Sequence, residues 1–133
     1  MKNEDVTDPG WIDRTALLRL LNVVGNDPDE LAELVGDYLE DAPDLAGRMI
    51  EASASGDRTA FRIAAHTLKS NARDFGAVQL SELCAAAETA STSDANVADL
   101  AAAADDIARA EQAARKALAD VSLEDLGGST GTG

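Results

Sequence analysis

Cysteine and histidine occur once each in this 133-residue chain, and aromatic residues make up only 3% of it. One cysteine cannot close an internal disulfide, and one cysteine with one histidine cannot build a structural zinc site of the usual kind. A reducing compartment and no bound metal are therefore expected. Basic residues are also scarce, 11 against 25 acidic ones, for a net charge of −14. Such a chain repels nucleic acid phosphates and anionic membranes, so neither is an expected partner. No apolar run approaches the ~20 residues that span a bilayer, and Met1 to Gly10 lacks the basic start and apolar stretch of a secretory signal. The expected location is the cytoplasm.

What the chain does have is alanine and leucine, the residues that pack helices on helices, in a length suited to one domain with a single core. Asp13 is placed to cap a first helix running to about Val24, with Ile12 and Leu17 spaced as a hydrophobic staple. Leu17, Leu20, Leu21 and Val24 share one face. Gly25-Asn26-Asp27-Pro28 is a break, and Pro28 suits the first position of the next helix. From Leu31 to Ile50 apolar residues recur every three or four positions and stay in phase across Pro43, as one kinked helix or two abutting ones. Ser55-Gly56-Asp57 ends this stretch, and Asp57 can cap a third helix from Arg58. Phe75-Gly76 closes that helix. A fourth begins near Val78 with Leu80, Leu83, Cys84 and Ala87 on one side, and an alanine-rich fifth spans about Asn96 to Val121. The expectation is an all-α protein, an antiparallel up-down four-helix bundle with the N-terminal helix covering one end. Residues 1–10 are expected to be flexible, 11–122 to form the bundle and 123–133 to form a Gly/Ser/Thr tail.

On the third helix, at about 100° per residue, Arg62, Lys69, Ser70 and Arg73 fall within about 60° of His66, and Ile63 lies at the edge of the same strip. Phe61, Ala64, Ala65, Leu68, Ala72 and Phe75 occupy the opposite side, so His66 should face solvent. Residues 58–73 contain four basic residues and no acid. A cationic strip thus surrounds the only imidazole of an acidic chain. An ordinary imidazole, with a reference pKa of about 6.5, offers an uncharged nucleophilic nitrogen near neutral pH, and neighbouring ammonium or guanidinium groups stabilise a transferring phosphoryl group. The chain has no nucleotide-binding loop, so a phosphoryl donor and any Mg²⁺ must come from elsewhere. The acidic runs Asp27 to Glu33 and Asp37 to Asp44 lie on helical segments without EF-hand loop spacing and are read as solvated surface. Cys84, on an apolar stripe, is read as an inert core thiol.

The run Ala65-His66-Thr67-Leu68-Lys69-Ser70-Asn71-Ala72-Arg73-Asp74-Phe75-Gly76-Ala77, followed by Leu80, Leu83, Cys84 and Glu88, resembles the histidine-containing phosphotransfer (HPt) family of bacterial phosphorelays. The resemblance implies that His66 is the phospho-accepting residue, that Lys69 supports the phosphate and that the bundle docks receiver domains. It also implies that the chain works with a hybrid histidine kinase and with response-regulator receivers whose aspartates exchange the group, each receiver holding its own Mg²⁺. Ser70 stands where the family often has glycine, and its hydroxyl is a candidate hydrogen-bond partner for the imidazole or the phosphoryl group. Asn71 and Arg73 replace small residues. Arg62, Ile63 and Arg73 are candidate docking residues. On this reading the chain is a monomeric phosphocarrier that binds no cofactor and has no kinase activity of its own. The rival is a degenerate, non-phosphorylated helical adaptor that binds receivers or kinases. A hydrolase is disfavoured because the sequence places no second acid or base beside His66.

Overall fold

The computed structural model describes residues 11–123 and residue 126. The expected flexible segment 1–10, and the tail apart from Leu123 and Leu126, lie outside the described residues. Five helices follow in order: α1 (Arg14–Val23), α2 (Pro28–Ser55), α3 (Arg58–Asp74), α4 (Val78–Ser91) and α5 (Val97–Ala119), with no strand among the described residues.

Short polar side chains begin four of these helices. Asp13, Asp27 and Asp57 accept from the backbone N–H of Thr15, Asp29 and Ala60, each at 3.0 Å. Asn96 and Asp99 form a reciprocal capping box at the start of α5. Pro28 occupies the first turn of α2, where a missing N–H costs nothing. Pro43 lies inside α2, which continues as one helix from Pro28 to Ser55. The open alternative of two abutting helices is thereby settled.

Helix α2 packs on α3, α3 on α4, α4 on α5 and α5 back on α2, so the four long helices close a ring around one core. Phe61, Leu31, Met49, Leu68, Leu80, Leu100, Ile107 and Leu118 fill it. Among the described helices α1 packs on α2 and α3, and it closes the end near the α3–α4 turn, where the Asp13 N–H donates to the Gly76 carbonyl at 2.7 Å. The expected staple residues Ile12 and Leu17 are both buried there. Packing runs past the expected boundary at residue 122, since Leu126 is buried and Leu123 half-buried against the core.

The periodicity overreached at three positions. Ile50, Leu83 and Val97 are exposed, at 39%, 38% and 44%. Met49 takes the core position beside Ile50, and Leu80, Cys84 and Ala87 fill the α4 stripe beside Leu83. Val97 is the first residue of α5, beyond the packed stripe that starts at Leu100.

Tyr38 and Glu111 are buried polar side chains, as are Ser53 and Ser91. The Tyr38 ring stacks on Phe75 with centroids 4.9 Å apart, and its hydroxyl is buried with no hydrogen-bond partner among the described residues. Glu111 is buried on α5 and accepts two bonds from Arg115, from Nε at 3.0 Å and Nη2 at 3.3 Å. Burial pushes the Glu111 carboxyl above its ordinary range, against the opposing pull of Arg115. A carboxyl that holds its proton more tightly in the folded state contributes less to stability as pH rises from the ordinary carboxylate value through the raised one. Glu111→Gln, which never ionises, is expected to remove that decline. Urea unfolding midpoints of both proteins between acid and neutral pH measure it, and parallel pH profiles would refute it.

Candidate functional site

His66 lies in the middle of α3 because Phe61, Ala64, Ala65, Leu68 and Ala72 turn the opposite face into the core. Its side chain is 61% exposed. Arg62 and Arg73 are exposed beside it and make no ion pair among the described residues. Ile63 is 58% exposed, a large apolar side chain left in water. Ser70 is half-buried, and its hydroxyl makes no hydrogen bond to the ring. The sequence-marked strip is therefore assembled on one helix as its spacing required.

The site also holds a residue that the charge pattern of α3 did not announce. Glu88 of α4 reaches across to the strip, with Oε2 at 2.9 Å from His66 Nδ1 and Oε1 at 2.7 Å from Lys69 Nζ. The expectation that no second acid stands beside His66 is corrected: the acid comes from the next helix. Antiparallel helices bring together residues equidistant from their turn, and Ala77, in the α3–α4 turn, lies midway in sequence between His66 and Glu88. Glu88 also falls four residues after the buried Cys84, so it sits at the edge of the α4 stripe that faces α3. Ser81 fixes the same register by donating its hydroxyl to the Lys69 carbonyl at 3.2 Å.

The Lys69 ammonium, helped by the His66 contact, holds the Glu88 carboxyl below its ordinary range against the opposing cost of partial burial. Glu88 is thus a carboxylate at neutral pH, and a carboxylate accepts hydrogen bonds only. A neutral His66 must then carry its proton on Nδ1, which leaves the lone pair on Nε2. Nε2 has no hydrogen-bond partner among the described residues. Cys84 lies fully buried, and desolvation first and Glu88 second push its thiol up to about 12. It stays protonated and inert, as its place on the apolar stripe suggested.

On the α2 side of the strip a groove of about 480 Å³ opens between α2 and α3, lined by Leu45, Arg48, Ala52, Ile63, Ala64 and Thr67 among others. His66 therefore stands between an acidic partner on α4 and a largely apolar recess on α2. Among the described residues no helix is long and apolar enough to cross a membrane.

The Hpt domain family matches residues 33–124, a span that takes in His66, Lys69 and Glu88. The chain belongs to the Hpt domain family. Such domains serve in histidine phosphotransfer within two-component signalling, as phosphocarriers working with receiver domains and histidine kinases. The fold agrees with that of a solved structure, histidine-containing phosphotransfer protein B from Pseudomonas aeruginosa PAO1. The TM-score is 0.73 at 23% identity, over 81% of this chain and 90% of that one. No curated protein matches the chain in sequence.

Proposed function

We propose that His66 accepts a phosphoryl group from the aspartyl phosphate of one receiver domain and passes it to the aspartate of another, as an intermediate of a multistep phosphorelay. The observation that carries this reading is an exposed imidazole with Nδ1 engaged by Glu88 and Nε2 without a partner among the described residues. A nitrogen so prepared attacks phosphorus in line with the departing aspartate oxygen, and transfer of this kind depends on positioning and charge more than on covalent chemistry from the protein. Lys69, one turn along, supports the phosphoryl oxygens. Ser70 leaves room for close approach and offers a hydroxyl to them. Arg62 and Arg73 attract the acidic, Mg²⁺-bearing pocket of a receiver, and Ile63 with the adjoining groove seats an apolar side chain of that partner. The Mg²⁺ belongs to the receiver, and this chain contributes the nucleophile and the docking face without a cofactor of its own.

Mixing the purified protein with a labelled phospho-receiver and Mg²⁺ tests the reading. Label should move onto this chain in a bond that is labile to acid and stable to alkali, as phosphohistidine is. Stable complex formation without label would instead establish a non-phosphorylated adaptor.

A further inference from the structure

Both oxygens of Glu88 are committed, one to the ammonium that would support a phosphoryl group and the other to the ring that would carry it. A phosphoryl group on Nε2 brings about two negative charges to within one imidazole ring of that carboxylate. We propose that Glu88 keeps the phosphoryl group on His66 labile, by weakening the hold of Lys69 on the phosphoryl oxygens and by holding the proton on Nδ1. The proposal rests on the reading of His66 as the acceptor.

In the uptake step the Nε2 lone pair forms the P–N bond while the P–O bond to the donor aspartate breaks, its electron pair leaving with that carboxylate. The Nδ1 proton stays in place, so the ring becomes cationic opposite the Glu88 carboxylate at 2.9 Å. On release an oxygen of the receiving aspartate attacks phosphorus and the P–N electron pair returns to Nε2, restoring a neutral ring with no proton exchanged. A cationic ring takes back that electron pair more readily than a neutral one, so a carboxylate that retains the Nδ1 proton favours departure. The Lys69–Glu88 pair at 2.7 Å acts in the same sense. An ammonium already neutralised by a carboxylate attracts phosphoryl oxygens less than a free one does.

The other charged groups nearby do not duplicate this role. Arg62 and Arg73 on α3 are cations free in solvent, and Cys84 behind Glu88 is an uncharged buried thiol. Arg48 and Glu51 of α2 line the groove on the Ile63 side. Glu88 is thus a positioning residue for both His66 and Lys69.

The test loads wild type, Glu88→Gln, Lys69→Met and the double variant from the same phospho-receiver, removes the donor, and follows loss of phosphohistidine and onward transfer to a fresh receiver. Glutamine still accepts a bond from Nδ1–H but carries no charge. Its phosphohistidine half-life is expected to lengthen about fivefold, the change that about 1 kcal/mol in a barrier produces, and onward transfer should slow. Adding Lys69→Met should erase part of that gain, because the freed ammonium is one of its two sources. Nitrogen NMR of the unphosphorylated wild type should show the Nδ1–H tautomer, lost in Glu88→Ala. A Glu88→Gln half-life equal to or shorter than wild type, or a wild-type ring protonated on Nε2, overturns the proposal. Wild type that takes no label at all would instead remove the function on which it rests.

Discussion

Replacing His66 with glutamine should abolish phosphoryl uptake while leaving the bundle folded. The glutamine amide nitrogen shares its lone pair with the carbonyl and is no nucleophile, and no second histidine exists to take the group. The side chain it replaces is mostly in solvent and bonds, among the described residues, to Glu88 alone. Exposed ion pairs contribute about 0–1 kcal/mol, so the unfolding midpoint should barely move. Glutamine can still donate to Glu88, which keeps Lys69 anchored. Radiolabel transfer from a phospho-receiver and far-ultraviolet circular dichroism, read on the same preparation, decide the matter. Label persisting at wild-type level would place the acceptor elsewhere and remove His66 from the mechanism.

The contrast between this site and the rest of the fold explains what the sequence made legible. A strip on one helix is a local pattern: at 3.6 residues per turn the spacing of Arg62, His66, Lys69 and Arg73 fixes their shared face before any tertiary contact is known. Caps are local too, and Asp13 and Asp57 act where their position ahead of apolar-periodic stretches places them. Glu88 belongs to the motif but not to the strip, because it lies on the next helix and outside the charge pattern of residues 58–73. Its role needs the α3–α4 register, a tertiary quantity that the short turn at Gly76-Ala77 sets. The exposed Ile50 and Leu83 missed for a related reason: periodicity defines an apolar face wider than the stripe that neighbouring helices can cover. Glu111 carries the opposite lesson. A carboxylate among alanines looks like surface, and only the closure of α5 onto α2 buries it with Arg115 as its partner.

That same turn carries the largest expected loss of stability from a single methyl group. Gly76 has φ +82°, a left-handed conformation that costs an L side chain roughly 1–2 kcal/mol. Space compounds the strain, because a Cβ on Gly76 would lie 2.4 Å from the Asp13 carbonyl oxygen and 3.0 Å from its nitrogen. These are backbone atoms, so no rotamer change relieves the overlap. Asp13 also caps α1 and donates its N–H to the Gly76 carbonyl, so moving it disturbs the cap, the inter-helix bond and the burial of Ile12 and Leu17 together. Gly76→Ala is therefore expected to cost about 2–4 kcal/mol in urea unfolding, within the range of strain and lost packing combined. Gly56 provides the control: its φ is +75°, but nothing lies within 4 Å of the added Cβ. Gly56→Ala should show the conformational cost alone, roughly 1–2 kcal/mol. Equal losses at the two positions would mean that the contact between α1 and the α3–α4 turn contributes nothing to holding the end of the bundle closed. A larger loss at Gly76 with phosphoryl uptake retained would separate the covering role of α1 from the chemistry on the exposed face of α3.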